Sequence, residues 1–491
     1  MDKKLEAKPA DALDFTSCYG CTFSVYVKKN SPPSGQHILS TASVFAPTVF
    51  SKELLRERRA YLHIVMKPLV LITLMIWSCL PVFWGALSTS GTRTSSLDAW
   101  FVNRDGARVG NNLWESFSNT STPGQHLGWA LLSAADAGTD EQIMDAIIQQ
   151  RAWIAVVVEA NATTRLSTAR INGDAAYDPT GAITVYYAQA RQEVAVGNYV
   201  LPITQQLLST SVSAYATASA QRYFAQITPG DSVNATAANL LSQAPQTISP
   251  GIAWRMVNLR PYTAPAVQAV TLVGNIFLVI FAFMMTMAHS AARTIIAPRL
   301  KLSDYLALRL IVPTLAYLPL SLSYTLVSVA FGLPFGGKYS YVGGFFMTFL
   351  FVYLGMTALG LSLEAMITLL TPKFIPYFLF PLIIFNVAPI LLPPELLNSI
   401  YYYGAGFPIW CVASNKNLSS QAVRTIFFDL QDNLGQNAGV MVGWISLSCF
   451  TTLIFTWWMR RRELRALQLD ETTSIPERLS RELAAPLPEV K

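Results

Sequence analysis

Residues 259–287 read LRPYTAPAVQAVTLVGNIFLVIFAFMMTM, and this stretch decides the architecture. Its first part, 259–265, is a lead-in broken by Pro261 and Pro265. From Ala266 the chain becomes apolar and uncharged for long enough to cross a bilayer, which takes about 20 helical residues at a rise of about 1.5 Å each. Upstream, from residue 88 to this stretch, the chain has the polar, mixed composition of one water-soluble domain. Downstream, nearly everything reads as membrane.

The composition agrees with this division. The chain has 491 residues, 52% hydrophobic and only 13% charged, against about 25% charged in an ordinary soluble protein. The deficit is uneven, which implies membrane segments carrying soluble ones rather than one large core. Net charge is +6 and the pI is near 9.0. Nucleic-acid binding would place that charge on the folded domain. Residues 88–265 instead hold ten Arg, no Lys and twelve Asp or Glu. The excess positive charge sits in the N-terminal tail and beside the apolar runs, as membrane orientation requires. No nucleic-acid partner is expected.

Residues 1–66 form a basic tail with Lys3, Lys4, Lys8, Lys28, Lys29, Lys52, Arg56, Arg58 and Arg59, expected to be cytosolic and disordered. Within it, 51–63 has the composition of a short amphipathic helix along the membrane or of a positive flank that orients the next span. No apolar run closely follows Met1, so no cleaved signal peptide is expected. The first span is placed at 67–87, its apolar part beginning at Leu69, with residue 88 outside by the positive-inside rule. Residues 88–265 are then an extracytoplasmic α+β domain. In it, 97–103 and 183–187 read as strands, and the β-branched run 153–158 as another. Residues 139–150 read as a helix opened by a Thr139–Gln142 capping box. A long helix is predicted over 189–224. Three N-x-[ST] acceptors, Asn119, Asn161 and Asn234, fall in this segment, and a fourth, Asn417, in the last outside loop.

Five further spans, near 266–288, 306–331, 342–364, 374–392 and 440–459, give an α-helical integral membrane protein of six transmembrane helices (1+5). Residues 266–460 form the five-helix bundle and 461–491 a cytosolic, polar tail. Arg293, Arg299, Lys301, Lys373 and Arg460–Arg461–Arg462 flank the inner ends.

One span, a large outside domain and then five spans resembles the fungal nitrosoguanidine-resistance (DUF3533-like) family, itself similar to phage-infection proteins and to the membrane halves of type-two ABC exporters. The phrases that carry the likeness are Val102-Asn103-Arg104-Asp105-Gly106, Leu259-Arg260-Pro261-Tyr262, Gly404-Ala405-Gly406-Phe407-Pro408, Arg424-Thr425-Ile426-Phe427-Phe428, and Leu434-Gly435-Gln436-Asn437-Ala438-Gly439-Val440. The resemblance covers about residues 62–465. It implies a plasma-membrane protein, with the endoplasmic reticulum or another secretory membrane as the alternative. It further implies export of, or resistance to, a small toxic molecule, or a non-transporting role in lipid distribution or in holding partners through the outside domain. A homodimer is compatible with such a domain. The family brings no agreed catalytic residues.

Chemical motifs are few. Cys18 and Cys21 form a lone C-x-x-C, short of the four ligands of a zinc site. No metal or other cofactor is expected. Gly332-Leu-Pro-Phe-Gly-Gly337-Lys338-Tyr339 approaches a phosphate-binding loop but has Tyr339 where Ser or Thr must hold magnesium, so the chain carries no ATP-binding site. His37, His63, His126 and His289 are scattered, without an H-E-x-x-H or G-x-S-x-G pattern, so no enzyme is expected. Ionisable and polar groups inside the spans are the better leads, because charge at mid-bilayer costs about 2.5–3.5 kcal/mol or more. Glu364 has two readings, a proton or substrate site, or an ion pair with Lys373 or Arg309. Asn275 and Asn386 read either as interhelical hydrogen-bond formers or as polar lining of a substrate path through the bilayer.

Overall fold

The computed structural model describes residues 55–119, 125–228, 234–264, 266–409, 422–431 and 434–483. Cys18, Cys21, Cys411 and Asn417 lie outside the described residues.

The chain opens with α1 (Leu55–Ser88). The sheet domain follows: β1 (Asp98–Asn103), α2 (Arg108–Ser118), β2 (Gly128–Leu132), α3 (Ala134–Ala137), α4 (Asp140–Ile148), β3 (Ile154–Val158), α5 (Ala162–Asn172) and β4 (Ile183–Tyr187). Then α6 (Glu193–Ala195) passes through a π-helical turn, Val196–Val200, into α7 (Leu201–Ile227). After α8 (Ala235–Gln243), β5 (Trp254–Asn258) closes the domain. The described elements that follow are helices: α9 (Gly274–Ile296), α10 (Leu302–Ala330), α11 (Tyr341–Val387), α12 (Ala422–Phe428) and α13 (Leu434–Leu483).

Local sequence explains these elements. Thr139 and Gln142 form the predicted capping box, the Thr139 hydroxyl accepting from the Gln142 amide and the Gln142 side chain accepting from the Thr139 amide. β3 is Ile-Ala-Val-Val-Val and buried throughout, as a central strand covered on both faces must be. The strand order is β2-β1-β3-β4-β5. β1 pairs in parallel with β2 and β3, β3 pairs antiparallel with β4, and β4 pairs in parallel with β5. Alternate residues feed opposite faces. Phe101, Ile154, Val156 and Val185 share a core with Leu113 and Phe117 of α2 and Leu208 of α7. Val102, Ala155, Val157 and Tyr186 share the other with Ile143 and Ile147 of α4. That second core also takes in Val423, Ile426 and Phe427 of α12 and Phe335. The sheet therefore packs against segments that lie between the long apolar helices.

Two strands escape the sequence patterns. β2 and β5 are short edge strands, and β5 lies immediately ahead of the proline-broken lead-in at 259–265. Two helices run further than the sequence predicts. α1 begins at Leu55, so the 51–63 run, read as a short amphipathic helix or a positive flank, is from that residue continuous with the helix of the first span. α13 continues to Leu483, twenty-three residues into the expected tail, where Arg, Glu and Leu favour helix.

Among the described residues, five helices are long and apolar enough to cross a membrane: Arg58–Thr92, Gly274–Ile296, Leu302–Ala330, Tyr341–Ile390 and Leu434–Arg462. The fourth is broken. Thr371 leaves helical geometry at φ 64, ψ 158, immediately before Pro372, whose ring disfavours helix in the residue ahead of it. Small residues permit close packing. A Cβ on Gly360 would lie 2.1 Å from the Tyr317 hydroxyl of α10, and one on Gly337 would lie 2.1 Å from the Phe427 carbonyl of α12. In the loop that approaches a phosphate-binding motif, Gly337 is thus required by packing, and the Lys338 amide donates to the Ile426 carbonyl at 3.1 Å.

Candidate functional site

Four helices converge on one carboxylate. Glu364 of α11 has no exposed surface. Its Oε1 accepts from Arg309 Nε of α10 at 2.8 Å and from Arg293 Nη1 of α9. Arg309 is spent completely on this neighbourhood. Its Nη1 donates to the Thr456 hydroxyl of α13 at 2.7 Å, and its Nη2 to the Glu364 carbonyl at 2.7 Å and to the Thr368 hydroxyl. Helical spacing makes this possible. Glu364 and Thr368 are four residues apart on one face of α11, as His289 and Arg293 are on α9. A buried carboxylate is tolerated only when paired and hydrogen-bonded, and here two guanidinium groups meet that requirement.

Two buried atoms remain without a partner, Glu364 Oε2 and His289 Nε2. Beside the cluster lies a cavity of about 430 Å³ lined by Ser290, Arg293, Tyr305, Arg309, Thr368 and Arg460, among others. The guanidinium carbons of Arg293, Arg309 and Arg460 lie 5.8, 5.8 and 5.9 Å from the Tyr305 ring centre. Of the two pairings the sequence allows for Glu364, the structure makes the one with Arg309. Lys373 is exposed, near the Phe374 ring. Arg293, read from the sequence as an orienting flank, turns inward and is the second partner. Its spacing from His289 was the signal available for it. Tyr305 lies four residues before Arg309 on α10, and Thr456 four residues before Arg460 on α13, but no sequence pattern joins the two helices to each other or to Glu364.

The two asparagines lie elsewhere. Asn275 is 2% exposed and donates to the Thr271 carbonyl of its own helical run at 3.0 Å. Asn386 is fully buried, donates to the Leu382 carbonyl at 2.8 Å, and its Oδ1 has no partner. Neither lines the cavity beside Glu364. Asn119, Asn161 and Asn234 are all exposed at helix ends.

The arginines of the phrases that carry the family likeness have structural work. Arg104 pairs with Asp140, and Arg260 with Asp429 at 2.9 Å. Arg424 pairs with Glu193 at 2.7 Å and donates to the Arg191 carbonyl at 2.8 Å. Arg191 in turn faces Glu395 at 3.5 Å and lies over the Trp153 ring at 3.6 Å. Burial pulls the Arg191 guanidinium down to about 10, with Glu395 opposing the shift, so it stays charged at neutral pH. The Arg191, Arg260 and Arg424 pairs fasten the sheet domain to the segments around α12 and residue 395, while Arg104–Asp140 lies within the domain.

Long apolar helices, a buried charge cluster among them and a sheet domain packed on their connecting segments define a multi-pass membrane protein. The chain belongs to DUF3533, a family described as a protein of unknown function, whose profile matches residues 68–450. It is similar to an uncharacterized endoplasmic reticulum membrane protein of Saccharomyces cerevisiae, 24% identical over 318 residues, covering 63% of this chain and 59% of the relative. The chain thus matches less than two thirds of that relative's length. No solved structure matches.

Replacing Arg309 by Gln leaves the buried carboxylate half-compensated, and a loss of about 3–5 kcal/mol is expected. Lys373→Gln should lie within about 0.5 kcal/mol of wild type. Thermal unfolding of the purified protein in detergent checks both. Equal effects of the two changes would remove Arg309 from its assigned role.

Proposed function

We propose that the protein exports, or confers resistance to, a small toxic molecule across a secretory-pathway or plasma membrane. The observation that carries this reading is the paired but incompletely satisfied Glu364 among apolar helices, since an ionisable group at such depth is costly and marks substrate or proton paths. A proton reaching Oε2 removes the charge pairing of Oε1 with Arg293 and Arg309, Arg309 keeping its bonds to Thr456, Thr368 and the Glu364 carbonyl, and the hold of α11 on α9 weakens. Binding and release of that proton is the step that couples a gradient to movement of the helices. The chain acts without ATP and without enzyme chemistry of its own.

The topology that goes with this reading has six crossings: α1, α9, α10, the two halves of α11 and α13. Its support is length. Tyr341–Ile390 spans 50 residues, about 75 Å if straight, against a hydrocarbon core of about 30 Å, and the break at Thr371 divides it. Both termini then face the cytosol, and the sheet domain faces the lumen or exterior with glycans on Asn119, Asn161 and Asn234. The yeast relative's name favours the endoplasmic reticulum as the membrane. Single Asn→Gln changes should each remove one endoglycosidase-sensitive step in gel mobility. Mobility that no change alters would place the domain in the cytosol.

A second reading, a role in lipid distribution, is favoured by an apolar groove of about 600 Å³ between α9 and α10, lined by Phe277, Phe281, Leu320 and Val327 among others.

The export reading is tested by retention of a labelled toxic compound in cells with and without the protein, with and without a protonophore. The protein should lower retention, the protonophore should restore it, and Glu364→Gln, a mimic of the protonated state, should abolish the effect at normal membrane abundance. Equal retention in all cells would end this reading in favour of lipid distribution.

A further inference from the structure

The cavity beside Glu364 has more positive charge than its neighbours balance. Its lining includes Arg293, Arg309 and Arg460 and no carboxylate. The one acid in contact, Glu364, gives its Oε1 to both Arg293 and Arg309. Arg460 has no ion-pair partner among the described residues, its recorded contact being the face of Tyr305 at 5.9 Å. Three arginines against one carboxylate leave a net charge of +2 around one ring. Unbalanced charges facing an apolar surrounding are costly, and an anion in the cavity removes that cost.

The kind of anion follows from size and place. Planar guanidinium groups present several N–H donors to phosphate oxygens. A volume of about 430 Å³ admits a phosphate ester with its attached group, not only a bare ion. The site lies at helix ends. Arg293 is one turn before the end of α9, and Arg299, Lys301 and Lys373 follow in the adjoining connections. Next to the lining residues Thr294 and Thr368 stand exposed Ile295, Ile296 and Leu369, an apolar surface for hydrocarbon. Basic pockets between membrane helices at this level are suited to lipid head groups.

We propose that this cavity binds the phosphate ester head group of an anionic lipid, held by Arg460 and Arg293 beside Tyr305. The assignment rests on the charge surplus and the cavity, not on export, and its test reads no transport. Full-length protein is reconstituted in phosphatidylcholine nanodiscs doped with phosphatidic acid, re-extracted, and its retained lipid counted by mass spectrometry. Wild type should retain phosphatidic acid selectively. Arg460→Gln should lower retention about fivefold, the effect of about one basic contact near a membrane surface. Arg461→Gln should leave it unchanged, because Arg461 stacks on Trp457 at 3.9 Å and is not among the cavity's lining residues. Arg460→Lys keeps the charge and should retain most of the lipid, which covers the case of an unfolded Gln variant. Equal loss in Arg460→Gln and Arg461→Gln, or no selectivity in wild type, overturns the site. Complete displacement by inorganic phosphate overturns the lipid as occupant in favour of free phosphate.

Discussion

Glu364 has no contact with solvent, and the arrangement around it follows from keeping its charge compensated. A lone carboxylate at that depth would lose its hydration with nothing in exchange. Two guanidinium groups from two other helices replace that hydration, and a hydroxyl from a fourth helix anchors one of them. Between apolar helices in lipid, the hydrophobic effect contributes little to association, and packing and polar contacts have to specify it. The cluster therefore fixes which faces of α9, α10, α11 and α13 meet. Gly360, admitting the Tyr317 hydroxyl, adds close approach between α10 and α11.

The sheet domain is bound to this bundle by a second set of charges. Arg191, Arg260 and Arg424 each join the domain to a segment between apolar helices. The core on one face of the sheet continues into α12. α12 stands immediately before α13 in the chain and shares its core with Leu434 and Met441, so packed side chains run from the sheet to the helix that carries Thr456.

Much of this was legible in the sequence. Uncharged runs of sufficient length located the apolar helices, and the β-branched run at β3 and the capping box at α4 located the middle of the sheet. Glu364 stood out because ionisable groups in such runs are rare, and Arg309 was one of its two legible partners. The rest depended on tertiary context. Arg293 has the same composition whether it flanks a span or turns inward, and only the packing of α9 on α11 decides. β5 is short and partly exposed, with little alternation to read. The phrases that carry the family likeness read as motifs, yet Arg260 and Arg424 serve as fasteners between domain and bundle and Arg104 bonds within the domain. Asn275 and Asn386, chosen for depth, bond within their own helical runs.

The most direct test of the central cluster is a double-mutant cycle on Arg309 and Glu364, read by thermal unfolding of wild type, Arg309→Gln, Glu364→Gln and the double variant. Removing both partners of a buried pair costs less than the sum of the single losses, because neither is left uncompensated. The account requires a coupling of about 0.5–3 kcal/mol, the range for residues in contact. Additivity to within about 0.5 kcal/mol would mean that the two side chains act independently, and would contradict the account.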